Sequence, residues 1–321
     1  MRGPYKQRLV EETMPGRQVV MRAIILCGAL AVVVATFVPG GCARMKAQAP
    51  RSVEPTPEHT ALPAGSPLSW VQAATQTEVE VLQQQGAFSV RYRERKIDAK
   101  GDTTREIIEA KEGGVARLME RDGKPISGAD DAAERERLQQ ALTHPDEFLR
   151  HHRRDDSIRD DSAGLVKLMP QAMLYSYAPG QPQLANATHP QVVLDFSPNP
   201  KFHPPSMLSD LLTGLAGRLW IDAEDKHVIR VEGRVLHPVN FGYGIVAHFY
   251  PGGTITFEQR AIGDGHWMYA QVMEHLMVRA LMVKTIPEDV QMTSSEVMPL
   301  PKLLGYQDAI RELLAMPIPL Q

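Results

Sequence analysis

The sequence has almost no cysteine. Its only two, Cys27 and Cys42, lie in the first 42 residues of a 321-residue chain. Past them there can be no disulfide, no thiolate metal site and no cysteine nucleophile. The short motifs of common chemistries are also missing. There is no His-Glu-x-x-His, no Gly-x-Ser-x-Gly, no Gly-x-x-x-x-Gly-Lys-Ser/Thr and no Gly-x-Gly-x-x-Gly. No internal repeat on the order of 20–50 residues is visible, and no strand–helix–strand rhythm, so a parallel sheet is not expected. Basic residues are scarce in the body. The chain has 35 Lys and Arg against 38 Asp and Glu, but seven of the former and two of the latter fall in residues 1–48, leaving 28 against 36. An acidic body does not attract polyphosphate, which argues against nucleic acid as a partner.

What is present begins with an export-like segment, residues 1–42. Residues 23–38, AIILCGALAVVVATFV, are uncharged and apolar, preceded by Arg17 and Arg22 and followed by PGGC. A positive flank, an apolar centre and small residues form the layout of an export signal. The apolar run is on the short side for a membrane-spanning helix. The lead is long for a signal, and Met21 offers an alternative start. Gly40 and Gly41 directly before Cys42 resemble a bacterial lipoprotein cleavage site, although Pro39 stands where a branched aliphatic is usual. Three readings stay open: lipidation at Cys42, soluble secretion after cleavage near residues 47–49, or an uncleaved anchor. A lipid on Cys42 would tether the body to a membrane surface without spanning it. Residues 43–66 are rich in Pro, Ala and small polar residues without periodicity, the composition of a flexible tether.

The folded body is expected over residues 67–321. Hydrophobic content of 43% and charged content of 23% are ordinary for a globular domain. Ser66-Pro67 marks a helix start and Gly86 a stop, with Leu68, Val71, Ala74, Val79 and Leu82 at roughly helical spacing. Phe88, Val90 and Tyr92 then alternate with polar residues, and the short turns DAKGD, GG and DGKP separate three strands of an antiparallel meander. A charged helical insertion follows over about 130–168, interrupted by Pro145 and ended by Pro170. Strands resume at AMLYSYA and QVVLDFS, then a short amphipathic helix at SMLSDLLTGLAG. Longer strands lead to WMYAQVMEHLMVRALMV and a final short helix in LPKLLGYQDAIRELLAM.

Within the segment LWIDAEDKHVIRVEGRV, Asp222, Glu224, Asp225 and His227 could form a metal or acid/base cluster. The spacing favours a hairpin turn, because Asp side chains bond the local backbone there. His151 and His152, adjacent on a helix, point about 100° apart and do not converge on one ion. His203, His237 and His248 are scattered. No catalytic residue, metal site or cofactor is expected.

The element order, with Trp220-Ile221-Asp222 entering a turn before alternating valines, resembles the LolA-like fold of bacterial lipoprotein carriers and outer-membrane lipoprotein-sorting proteins. The segments VRYRERKIDAKGD, MERDGKPIS, GRLWIDAED and TFEQRAIGDGHWMYAQV are similar to those of uncharacterised exported soil-bacterial proteins of that fold. The likeness covers about residues 66–285. It implies an α+β fold, a curved, unclosed antiparallel β-barrel with helices lidding an apolar concave face. It implies a non-enzymatic binding protein whose partner is lipid, an acyl chain or a lipoprotein; the alternative is an envelope sensor or protein-interaction module. Ile229, Val231, Phe257 and Val272 are then the candidate ligand-lining residues. Phe241, Tyr243, Phe249 and Tyr250, in an apolar segment rich in Gly, are candidates for a cavity rim or membrane contact.

Overall fold

The computed structural model describes residues 62–318, apart from 85, 186, 242–245 and 281–283. For residues 147, 151, 152, 154, 155, 280 and 284 it describes the backbone alone. Cys42 and the export-like segment lie outside the described residues.

Helix α1 (Pro67–Gln83) opens with a capping box. Ser66 Oγ accepts from the Ser69 amide at 3.1 Å, Ser69 Oγ accepts from the Ser66 amide at 3.1 Å, and Pro67 occupies the first turn. The meander follows as β1 (Val90–Asp98), β2 (Gly101–Ala110), β3 (Gly113–Arg121) and the short β4 (Lys124–Pro125). Asp122 and Gly123 both have positive φ, as a two-residue hairpin turn of the primed type requires.

The charged insertion is two helices, α2 (Gly128–Thr143) and α3 (Pro145–Ala172). Pro145 separates them because the residue before a proline is excluded from the helical region, and His144 sits at φ −125°, ψ 69°. Pro170 does not end α3 as its sequence suggests; the helix continues to Ala172. So close to the helix end, the proline forfeits only the bond its own amide would have made to Val166, and the break is tolerated.

Then come β5 (Met173–Tyr177), β6 (Gln191–Pro198), a 3-10 turn at Leu208–Thr213, β7 (Leu215–Asp222), β8 (Val228–Val235), β9 (Val239–Phe241), β10 (Ala247–Phe249), β11 (Thr254–Gly263), β12 (His266–Ala280), β13 (Lys284–Pro299) and α4 (Tyr306–Ala315). The expected helix over SMLSDLLTGLAG is thus cut short. Strand β7 begins at Leu215, and Gly217 packs against β8 so tightly that a Cβ would stand 1.9 Å from the Glu232 carbonyl oxygen.

The strands form one antiparallel sheet in the order β4-β3-β2-β1-β13-β12-β11-β8-β7-β6-β5, with β9 and β10 extending it beside the far end of β12. The two ends of this order, β4 and β5, do not pair, so the sheet is not closed into a barrel. Strands β1 and β13, at opposite ends of the body, meet in the middle, Val90 opposite Pro299.

The sheet is covered on both faces. The inner face carries α1 and the C-terminal half of α3, in a core that runs from Ala116 on β3 to Met173 on β5. On the outer face, α2, α4 and the start of α3 cover β2 and β3. Adjacent residues of β2 divide between the faces: Ile107 belongs to the inner core and Ile108 to the outer, both buried. Each such side chain contributes about 1.5–3 kcal/mol relative to leaving it exposed. Among the described residues no helix is long and apolar enough to cross a membrane.

Candidate functional site

The apolar stripe of α1 contains a glutamate. Glu78 lies four residues from both Ala74 and Leu82, so it points into the sheet with them, and all three are buried. Its Oε1 accepts from the Val228 amide at 2.8 Å and from Gln259 Nε2 at 2.7 Å, and lies 3.3 Å from His227 Nδ1. His227 in turn stacks on Trp267, ring centroids 4.3 Å apart. One carboxyl therefore ties α1 to the start of β8, to β11 and to β12. An unpaired carboxylate would not survive in this environment; three partners make its burial tolerable.

Beside Glu78 the inner face is incompletely filled. A cavity of about 110 Å³ lies between α1 and the sheet, lined by Phe88, Tyr92, Phe257, Trp267 and Tyr269 together with Glu78, Glu109, Gln259 and His266. A gap of about 20 Å³ lies on the other side of Glu78 and Val166, against Val228 and Val231. The tyrosines anchor on carboxylates. Tyr92 Oη donates to Glu109 Oε1 at 2.9 Å, and Tyr269 Oη donates to Glu94 Oε2 at 2.7 Å. Burial, followed by the charges of the neighbouring carboxylates, holds both phenols well above their usual range, so they are neutral donors. Burial also raises the Glu94 carboxyl, against the opposing pull of Tyr269, Arg105 and Lys96. His266 stacks on Phe88 at 3.7 Å, and its Nδ1 has no hydrogen-bond partner among the described residues.

Of the residues the sequence proposes as ligand-lining, three lie in the inner core. Phe257 lines the larger cavity, Val231 lines the smaller gap, and Val272 is packed away from both. Ile229 does not join them. A bulge places Trp220 opposite Arg230 but Ile221 opposite Val228, which shifts the phase of β8. Val228 consequently turns inward, and Ile229 packs with Ala178, Val193 and Trp220 on the other face. The proposed rim is also corrected. Phe241 and Phe249 are buried, 5.4 Å apart, because alternation along the short strands β9 and β10 sends them into the core. Tyr250 is half-buried against His248. Tyr243 lies outside the described residues.

Asp222 serves its turn. Its Oδ1 accepts from the Glu224 and Asp225 amides at 2.8 and 2.9 Å, and its Oδ2 lies 3.0 Å from His189 Nδ1. This is an Asx-type turn, completed by Lys226 with φ of 63°. Ligating atoms of His189, Asp222 and Asp225 lie within 4.8 Å of one another, with Asp222 Oδ1 held by two turn amides and Oδ2 facing His189. His227, grouped with these acids in the sequence, faces the opposite way, into the core.

Sequence reasoning missed Glu78, Glu109, Gln259 and Tyr269 as a group. The available signals were a glutamate at an apolar position of the α1 stripe, and Tyr92 and Glu94 continuing the inward alternation of Val90. Comparison of the chain with protein-family models, with curated proteins and with solved structures finds no match.

Proposed function

We propose that the chain is an exported, non-enzymatic binding protein of LolA-like fold, which holds lipid or a lipidated protein against the inner face of its sheet. The observation that carries this reading is the incompletely filled, aromatic-lined space between α1 and the sheet. A cavity of 110 Å³ is smaller than the roughly 300–1,000 Å³ of ordinary ligand sites. It admits a head group or chain end, and a whole acyl chain requires α1 to move outward. The Glu78 contacts to Val228 and Gln259 are the latch that such a motion breaks. Opening would join the two gaps, which already adjoin at Glu78 and Val166.

A second reading, an envelope sensor or interaction module that binds a peptide or partner protein, is favoured by one fact: α1 and α3 already occupy much of the inner face. Native mass spectrometry of the protein purified from its expressing cells separates the two. Co-purifying lipid of discrete mass supports the first, and its absence across gentle ionisation conditions counts against it. For the tether, Cys42→Ala followed by membrane fractionation tests lipidation. Release into the soluble fraction is expected, and retention on the membrane would assign the anchoring to the apolar segment instead.

A further inference from the structure

The lining of the larger cavity has a sign. Two carboxyl groups, Glu78 and Glu109, reach it, and among the described residues no Lys or Arg lines it. Its polar donors are largely committed. The Tyr92 hydroxyl hydrogen goes to Glu109, that of Tyr269 to Glu94, and Gln259 Nε2 donates to Glu78. A phenol has one hydrogen to give, so each tyrosine oxygen then offers only lone pairs. The three contacts of Glu78 all fall on Oε1. The lining also holds the rings of Tyr92, Trp267 and Tyr269, with Tyr92 and Tyr269 edge to face at 6.1 Å, and its remaining ring donors are the Trp267 indole N–H and His266.

Two carboxyl groups, with no Lys or Arg lining the cavity among the described residues, disfavour an anion. The lining suits a cation that can spread its charge over rings, as ammonium groups do in aromatic cages. The size agrees. An apolar cavity of about 150 Å³ holds benzene, so 110 Å³ accommodates about four or five non-hydrogen atoms.

We propose that this cavity is an organic-ammonium site, in which Glu78 and Glu109 supply the charge and Tyr92, Trp267 and Tyr269 the cage. The inference deepens the amphiphile-binding reading and rests on it: the ammonium is the head of the ligand, and the chain extends beneath α1 when the lid opens.

The test compares head groups on one chain length, using the full-length protein below the micellar concentration of each probe. Isothermal titration with dodecyltrimethylammonium, dodecyl maltoside and dodecyl sulfate should give tightest binding to the ammonium, about tenfold over the maltoside, equivalent to about 1.4 kcal/mol, with the sulfate weakest. Dodecylphosphocholine, whose ammonium lies beyond a phosphate, separates the two sources. Binding as tight as the simple ammonium points to a lipid headgroup, and weaker binding to a free alkylammonium. Glu109→Gln, which keeps an acceptor for Tyr92, and Trp267→Leu should each reduce the ratio of ammonium to maltoside affinity severalfold. The wild-type series stands by itself if either variant fails to fold. Equal binding of all three head groups, or preference for the sulfate, overturns the ammonium site and leaves amphiphile binding intact. Binding of tetramethylammonium with no gain from a chain keeps the site and removes the amphiphile reading. No binding by any probe ends both.

Discussion

The two faces of the sheet are packed on different principles. On the outer face, Ile108, Val115, Leu138, Ile310 and Leu313 form a small core, and one buried arginine leads its polar contacts. Arg117, buried, donates from Nη1 to the Leu313 and Met316 carbonyls at 2.5 and 2.7 Å and from Nη2 to Asp131 Oδ1 at 2.6 Å. It adds a side-chain donor at the end of α4, where the Leu313 carbonyl also accepts from the Met316 amide at 3.2 Å, and it joins α4 to α2. Arg135 adds a bond to the Leu314 carbonyl at 2.9 Å. On the inner face the core is far larger, yet Glu78, Glu94 and Glu274 are buried within it and space is left over. One face is finished as a structural joint. The other leaves unfilled volume beside its buried carboxyls, which is what a surface that must receive something requires. Well-packed cores do not readily deform, and loosely filled ones do.

This contrast can be broken in four ways. The largest effect is expected from Arg117→Ala, which strips α4 of its end donors and leaves Asp131 with Arg135 as its remaining partner. A loss of about 3–5 kcal/mol in urea unfolding is expected, and a loss below about 1 kcal/mol would show that the outer joint does not depend on it. Next, one substitution on each face compares their packing: Leu313→Ala should fall toward the upper end of the usual ~2–5 kcal/mol and Leu82→Ala, beside the cavity, toward the lower. Equal losses would erase the distinction.

The third concerns pH. Glu274 lies between Val272 and Leu276 on the inner side of β12, and burial, reinforced by Glu288 and opposed by Lys96, pushes its carboxyl up to about 8. The folded state therefore holds a proton that the unfolded chain releases near its ordinary value of 4.5. Between these values the folded state binds more protons, and stability must fall as pH rises. Within the window the loss is about 1.4 kcal/mol per pH unit. Glu274→Gln should flatten the slope in thermal melts from pH 5 to about pH 8, and an unchanged slope would show that Glu274 is not its source. The smallest effect is expected at Tyr250, where Tyr250→Ala should change stability by about 0.5 kcal/mol or less. A large loss would place Tyr250 in the core with its neighbour Phe249.

The outer frame was largely legible. The Ser66-Pro67 helix start, the Gly and Asp turns of the meander and the turn at Asp222 are local signals, each fixed by a few residues, and each appears where the sequence puts it. The inner site was not. Glu78 meets His227 across 149 residues and Gln259 across 181, and no local pattern encodes such pairings. Strict alternation misplaced Ile229 because a bulge near the start of β8 turns Val228 inward and Ile229 outward, while Val231 and Val235 keep the facing expected of them. The Gly-rich run around Phe241 and Phe249 suggested an exposed loop, whereas two three-residue strands pull both rings inward.

The seam between β1 and β13 has a consequence for how the molecule is assembled. Arg91 and Met298, joined across it, are 207 residues apart in sequence. Until the later strand arrives, β1 is an open edge with unsatisfied backbone groups, the usual template for pairing with a neighbouring chain. Its sequence, VRYRERKID, places Arg91, Arg93 and Arg95 along that waiting edge. Two chains meeting there would bring like charges together. Glu106 and Asp102 on the hairpin partner β2 pair with Arg93 and Arg95, and Glu296, which pairs with Arg93, comes only with β13, so like charge along that edge disfavours pairing with a second copy until β13 docks.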